Sequence, residues 1–324
     1  MADVQHLPAV AEAVHYHARP LPLTRILIGN GDSIRNMEKS AMRVAFQGEP
    51  GAFSEAAALQ LLGSGITTVP RATFDFAFRA LDDGAADALM APIENTLAGS
   101  VVRVYDLLLE SKLTITAETI LPIEHHLIGF PGAALGEIRS VASHPMALAQ
   151  CERFFSIHPA LLRIPAEDTA GSVRLVLEKG DRSAAAIAGR RAAEFYGGAI
   201  LVEDIQDNAE NFTRFVLLRP SQEPLPEARK MSLAMRLSHR PGALLSSLEP
   251  FAAHGVNLLK IESRPIHGRP WEYQFFLDVE SDSREKLQAA LAAARTVTSE
   301  LRVLGLYVAA RGSVSNARDA ALTK

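Results

Sequence analysis

From Arg43 to Tyr196, short apolar runs alternate with stretches of helical apolar spacing, and this alternation restricts the fold more than any other feature. Val44 to Phe46 reads as a strand, Gln47-Gly-Glu-Pro-Gly51 as a turn, and Ala52 to Leu62 as a helix. The same rhythm predicts strands at Ile66–Val69, Ala88–Ala91, Leu113–Leu121 and Leu127–Phe130, with helices at Phe74–Leu81 and Val101–Leu109. It resumes with a strand at Val141-Ala142, a helix at Ala147–Phe155, a helix capped by Asp168-Thr169 and running through Leu177, a strand at Ala184–Ile187 and a helix at Arg190–Tyr196. Strands separated by helices imply parallel sheets with right-handed crossovers. The length suits two α/β lobes facing across a cleft, roughly 42–117 with 205–219, and 118–204. A proline-rich linker over 220–229 follows, and the order then becomes strand, helix, strand, strand, helix, strand over 230–309, a ferredoxin-like βαββαβ module.

Composition narrows the function. The net charge is -4 and no long basic run occurs, which argues against a nucleic-acid binder. The lone cysteine, Cys151, excludes an intrachain disulfide and a cysteine-based metal site, so the reducing cytoplasm is the expected location. No apolar stretch approaches the ~20 residues of a membrane span. Residues 1–41 show no regular period and read as a disordered or loosely packed extension, or alternatively as a transit peptide; 310–324 reads as a flexible tail.

Unusual residues gather where open sheets bind ligands, at the carboxyl ends of strands. Gly48-Glu-Pro-Gly-Ala-Phe-Ser54 leads into a helix whose first N–H groups can hold an anion, or is a glycine turn required only by sterics. Pro92-Ile-Glu-Asn-Thr96 offers a carboxylate, an amide and a hydroxyl, or is an ordinary helix approach with Glu94 solvated. Ser143-His-Pro145 caps a helix that carries Gln150, and capping alone would account for Ser143. Thr213-Arg214 sets a hydroxyl beside a guanidinium suited to a carboxylate, or to a structural ion pair. Glu124-His125-His126 is dense, but neighbouring strand residues point to opposite faces, so a structural role is expected and no metal site is assigned. No phosphate-cradling glycine loop occurs, so no nucleotide cofactor is expected.

Together, Gln47-Gly-x-Pro-Gly-x-Phe-Ser54, Pro92-Ile-Glu-Asn95, Ser143-His-Pro145 and Asn211-x-Thr-Arg-Phe215 resemble prephenate dehydratase over residues 43–309, in that family's order and spacing. Gly242-Ala-Leu-Leu245 and Glu262-Ser-Arg-Pro265 resemble the two phenylalanine-binding motifs of its regulatory ACT domain. Met146 and Glu167-Asp168 depart from the usual residues, which leaves Asp168 outside the expected site.

The resemblance implies a periplasmic-binding-protein-like catalytic part with its site between the lobes and no cofactor. It also implies a homodimer or homotetramer, with prephenate as substrate and phenylalanine as allosteric inhibitor. By the same resemblance Thr213, Glu94, Asn95, Ser143 and Gln150 are the catalytic residues, and Arg214, Phe215, Thr96 and Ser54 bind substrate. Gly242, Ala243, Leu244, Leu245, Asn257, Glu262, Ser263, Arg264 and Pro265 would hold phenylalanine. The 1–41 extension is too short for a helical chorismate mutase domain, so a fused bifunctional form is not expected. Arogenate dehydratase is the nearest alternative. A long ATP phosphoribosyltransferase lacks support, since its phosphate loop is missing. A non-catalytic amino-acid sensor on a solute-binding scaffold would not require Thr213-Arg214-Phe215.

Overall fold

The computed structural model describes residues 41–310 except 221 and 267, so the expected extension and tail lie outside the described residues, apart from Ala310 of the tail and residue 41 of the extension. The first lobe is built from β1 (Arg43–Gln47), α1 (Phe53–Leu62), β2 (Thr67–Arg71), α2 (Phe74–Asp82) and β3 (Ala88–Asn95). The two-residue β4 (Gly99–Ser100), α3 (Val102–Glu110) and β5 (Leu113–Pro122) complete its outward run. The chain crosses into a second lobe of β6 (His126–Gly129), β7 (Ser140–Ser143), α4 (Pro145–Ala149), α5 (Glu152–Ile157), β8 (Leu162–Pro165), α6 (Thr169–Lys179), β9 (Ala184–Ala188), α7 (Arg190–Tyr196) and β10 (Ala199–Val202). It returns along β11 (Phe212–Pro220). The third unit comprises β12 (Lys230–Arg236), α8 (Ala243–Ala253), β13 (Asn257–Ile266), β14 (Arg269–Glu280), α9 (Arg284–Val297) and β15 (Glu300–Tyr307).

The sheets are mixed rather than parallel. In the first lobe β1 lies parallel to β2 and β3, but β11 runs antiparallel between β3 and β5. In the second, β7 is parallel to β8 and β9, whereas β6 is antiparallel to both β9 and β10. The reversals fall where the chain changes lobes, because a strand that returns from the other lobe enters its sheet from the opposite end. β5 extends to Pro122, so the sheet of the first lobe continues past the expected boundary at 117. Three strands escaped the sequence reading: β4 has only two residues, β8 is exposed along its whole length, and β10 is a four-residue edge strand after the Gly197-Gly198 stop of α7.

The predicted Ala147–Phe155 helix is two helices broken at Gln150 and Cys151. The Asp207 carboxylate accepts the N–H groups of Glu152 and Arg153, both at 2.9 Å, while the Asp207 N–H bonds the Gln150 carbonyl. A carboxylate at these first N–H groups starts a new helix and replaces the turn that would have joined the two. Asp168 is a cap as expected, accepting the Gly171 N–H.

The third unit has strand order β13-β14-β12-β15, as a ferredoxin-like βαββαβ chain requires. It joins the first lobe edge to edge through β15 and β5, which pair at Gly305 and Ile115. A Cβ on Gly305 would stand 2.3 Å from the Ile115 carbonyl oxygen, so only glycine permits this approach. The two units also share apolar packing: Ala234, Phe276, Leu304 and Tyr307 belong to the cluster formed by Leu89, Ala91, Ile93, Val104, Tyr105 and Leu108. The Tyr105 and Phe276 rings lie 4.5 Å apart between centroids.

Candidate active site

β3 and β11 bring the first two site residues together. Thr213 pairs with Asn95 and Arg214 with Glu94, after which the register slips so that Phe215 faces Pro92. Below the slip Ala88 and Met90 pack on the α1 side of the sheet, while Leu89, Ala91 and Ile93 pack on the reverse side. Strict alternation would therefore send Asn95 to the reverse side with Ile93. The extra residue reverses the parity and sets Asn95 beside Thr213, leaving Glu94 and Arg214 behind.

Asn95 is locked in place. Its Oδ1 accepts the backbone N–H groups of Leu97 at 2.9 Å and Ala98 at 2.8 Å, which orients the amide and points Nδ2 inward. Nδ2 donates to Asn211 Oδ1 at 2.7 Å, Thr213 Oγ1 at 2.9 Å and the Phe212 carbonyl at 3.1 Å. The chain of bonds continues into the second lobe. Asn211 Nδ2 donates to Gln150 Oε1 at 3.1 Å, and that oxygen also meets His125 Nε2 at 2.9 Å. Since an amide oxygen only accepts, Nε2 carries the imidazole proton and Nδ1 is the bare nitrogen. Burial lowers the pKa of His125 below its ordinary value, and its ring stands edge-on to Phe53 at 5.7 Å.

Because Thr213 Oγ1 is already an acceptor for Asn95, its own O–H is left to donate. Thr213 is almost buried, at 7% exposure. A hydroxyl held this way can donate one directed hydrogen bond to an oxygen that gains negative charge.

The other expected residues fall elsewhere. Glu94 and Arg214 lie on the reverse face, where Arg214 contacts Glu94 at 3.3 Å, Glu118 at 3.2 Å and Asp278 at 2.7 Å, and Glu94 also meets Lys260 at 2.9 Å. Strand alternation is the reason: neighbours on a strand cannot both face one ligand. Phe215 is a core residue packed with Met42, Val44 and Ala57. The Thr96 hydroxyl donates to the Glu210 carbonyl at 2.8 Å and accepts the Phe212 N–H at 2.9 Å, tying two loops together instead of facing a ligand. Ser143 is fully buried and donates to the Ile187 carbonyl at 2.6 Å; His144, not Ser143, caps α4. The structure does not join Ser143 to the Asn95–His125 chain. Ser54 is buried in the first turn of α1.

The glycine loop before α1 meets the second lobe. A Cβ on Gly51 would approach Ala192 Cα to 2.7 Å, and Glu55, buried in α1, accepts from Gly51 N at 2.8 Å and from Arg191 Nε at 3.2 Å. Here the loop closes one lobe on the other.

In the third unit, Gly242 has φ of 77° and begins α8, while Ala243 and Leu244 line a cavity of about 160 Å³ with Arg240, Tyr273 and Phe275. Leu245 is exposed, as are Asn257, Ser263 and Pro265 on β13. Glu262 bonds to Ser100 and, with Lys260, faces the first lobe; Arg264 pairs with Gln274 along the strand.

The sequence reading missed Asn211 and His125. Asn211 lay inside a quoted motif, but nothing in the sequence shows that it bridges to Gln150. Glu124, His126 and Asp204 bring three possible metal-ligand atoms within 4.8 Å, although His126 Nδ1 already accepts the Asp204 N–H at 3.2 Å. The sequence concealed that trio because Asp204 arrives from the loop after β10.

The fold and the polar chain define a two-lobed α/β enzyme that carries a ferredoxin-like module on the edge of one sheet. The chain belongs to the prephenate dehydratase family, whose model matches residues 44–223. It is a dehydratase of the lyase type. It is 39% identical over 93% of its length to arogenate dehydratase/prephenate dehydratase 6 of Arabidopsis thaliana, a chloroplastic protein, and covers 75% of that relative. The prephenate dehydratase of Arthrobacter aurescens, solved with L-Phe, superposes with a TM-score of 0.75 at 34% identity, over 82% of this chain and 90% of that one. A protein described as GqqA, a novel type of quorum quenching acylase, superposes with a TM-score of 0.76 at 34% identity, over 83% of this chain and 98% of that one.

Proposed function

We propose that this enzyme converts prephenate to phenylpyruvate and is inhibited by phenylalanine bound at its C-terminal module. The observation that carries the chemistry is the Asn95 bond to Thr213 Oγ1, which frees the Thr213 proton for the substrate. As the C1–carboxylate bond breaks, its electron pair enters the ring and CO2 departs. The C4–oxygen pair leaves with the hydroxyl, which takes a proton to become water, and aromatisation drives the reaction. Thr213 is too weak an acid to give up its proton fully near neutral pH, so it stabilises the departing oxygen by hydrogen bonding. In this reading the Gln150 amide NH2 and the first N–H groups of α1 would receive the substrate's carboxylates. Glu94 faces away and is not the proton source.

Phenylalanine inhibition is supported by the cavity beside Gly242 and by the L-Phe complex of the A. aurescens relative. Assembly into a dimer or tetramer is supported by β13, an edge strand with Leu258, Leu259 and Ile261 exposed. The single buried thiol suits the cytoplasm. Arogenate turnover remains the second reading, favoured by the name of the A. thaliana relative. An acylase would need an activated nucleophile. Cys151 is buried and its thiol is pushed up to about 12 by that burial, and the Ser143 hydroxyl is already spent on Ile187.

Parallel assays of the purified protein on prephenate and arogenate, with phenylpyruvate and phenylalanine quantified, test the reading. Phenylpyruvate formed from prephenate at the higher kcat/KM, and suppressed by added phenylalanine, supports it. Turnover of arogenate alone replaces it with the second reading.

A further inference from the structure

Directly behind the Asn95–Thr213 pair, on the reverse face of the same two strands, stand Glu94 and Arg214. Their closest ionic partners come from the C-terminal module. Arg214 Nη2 lies 2.7 Å from Asp278 Oδ2, and Lys260 Nζ lies 2.9 Å from Glu94 Oε1. Asp278 is itself held, accepting the Ser232 hydroxyl at 2.5 Å, and Ser232 meets the Tyr307 hydroxyl at 2.7 Å. Glu118, between the units, takes Arg214 at 3.2 Å and Lys230 at 2.9 Å. The side chains of Arg214 and Asp278 are 10% and 7% exposed. A buried charge that loses one partner is left uncompensated, so the strand carrying it must move to find another. Consecutive Cα atoms are about 3.8 Å apart along a stiff backbone, so Arg214 cannot shift without carrying Thr213.

We infer that Asp278 and Lys260 are positioning residues of the dehydratase reaction: their ion pairs with Arg214 and Glu94 hold, from behind, the register in which Asn95 Nδ2 meets Thr213 Oγ1. This rests on the proposal that Thr213 and Asn95 act on the substrate. It gives the C-terminal module a part in the reaction even when no effector is bound. The phenylalanine-type motif around Glu262 lies on the strand that supplies Lys260, so a ligand that moves β13 moves Glu94 with it.

Two readouts on the full-length protein test this, one independent of activity. In hydrogen–deuterium exchange, Asp278→Asn and Lys260→Met raise uptake in peptides covering 92–98 and 209–215 and leave 184–188 in the second lobe unchanged. In kinetics, Asp278→Asn lowers kcat by about 10- to 100-fold with KM within about threefold. Lys260→Met lowers kcat in the same way, and Lys260→Arg, which keeps the charge, holds kcat within about threefold of the parent. Asp282→Asn, on an exposed carboxylate of the same module, is the control and leaves both readouts as in the parent. Lys260→Met carries the test if Asp278→Asn fails to fold. Unchanged exchange at 92–98 and 209–215 overturns the inference whatever the activity. So does a loss of kcat from Asp278→Asn that simply multiplies with that from Thr213→Ala, since residues acting through one group are not additive. Failure of the parent protein to turn over either substrate defeats the proposed function and not the exchange result.

Discussion

Asn95 shows how much a single side chain can settle. With its oxygen held by two backbone N–H groups, its amide cannot flip, and the direction of every bond from Thr213 to His125 follows. Thr213→Ala removes the directed donor and should lower kcat by about 100- to 1000-fold with little change in KM, the size of effect seen when one oxyanion donor is lost. Asn95→Asp keeps the acceptor but puts a carboxylate oxygen against Thr213 Oγ1. The Thr213 proton then turns toward Asp, and activity should fall as far as in Asn95→Ala despite the near-identical shape. Steady-state rates on the preferred substrate decide both. His125 supplies a pH effect. Burial lowers its folded pKa below 6.5, so between 6.5 and that lower value the unfolded chain binds a proton that the folded chain does not. Stability is therefore complete above 6.5 and falls as the pH drops through this window, by up to about 1.4 kcal/mol per pH unit. Denaturant titrations across the acid range should show a shallower slope in His125→Asn.

At the level of elements, two junctions stand out. The break between α4 and α5 depends on Asp207, which comes from the strand-free loop leading back to the first lobe. Asp207→Ala removes the carboxylate that holds the first N–H groups of α5, so equilibrium unfolding should register a loss of about 1 kcal/mol, and kcat should fall as Gln150 loosens. The second junction is the β5–β15 seam. Gly305→Ala forces a Cβ onto the Ile115 carbonyl, at a cost of about 1–3 kcal/mol for displaced backbone. The strands should part there, and protease nicking of the 222–229 linker is the measurement that detects it.

The whole molecule is less divisible than its three-part sequence pattern implies. The first lobe and the C-terminal module share a sheet, an apolar cluster and a buried charge cluster, so heating should unfold them in one calorimetric transition. A chain ended after Arg219 strips Arg214 of Asp278, strips Glu118 of Lys230, and uncovers the Tyr105 side of the core. Such a chain should be poorly soluble and nearly inactive, instead of the free-standing unregulated enzyme that a modular reading predicts.

Much of this was legible in the linear order of residues. Apolar periodicity located most of the helices and strands, because burying one face of an element leaves a repeat of 3.6 or 2 in the chain. The spaced motifs singled out Asn95 and Thr213, which the fold brings into contact. What the order of residues left open was the facing of side chains and the meeting of distant segments. Glu94 and Asn95, like Thr213 and Arg214, are neighbours that read as one site, yet a register slip of one residue decides which of each pair joins the polar chain and which joins the charge cluster behind it. That slip is set by how β11 returns from the second lobe, a relation between segments more than a hundred residues apart. The partners of Arg214 were equally hidden, because Asp278 reaches it only when two separately patterned units share one sheet. Local periodicity records which residues are buried; only the packed fold decides which of them touch.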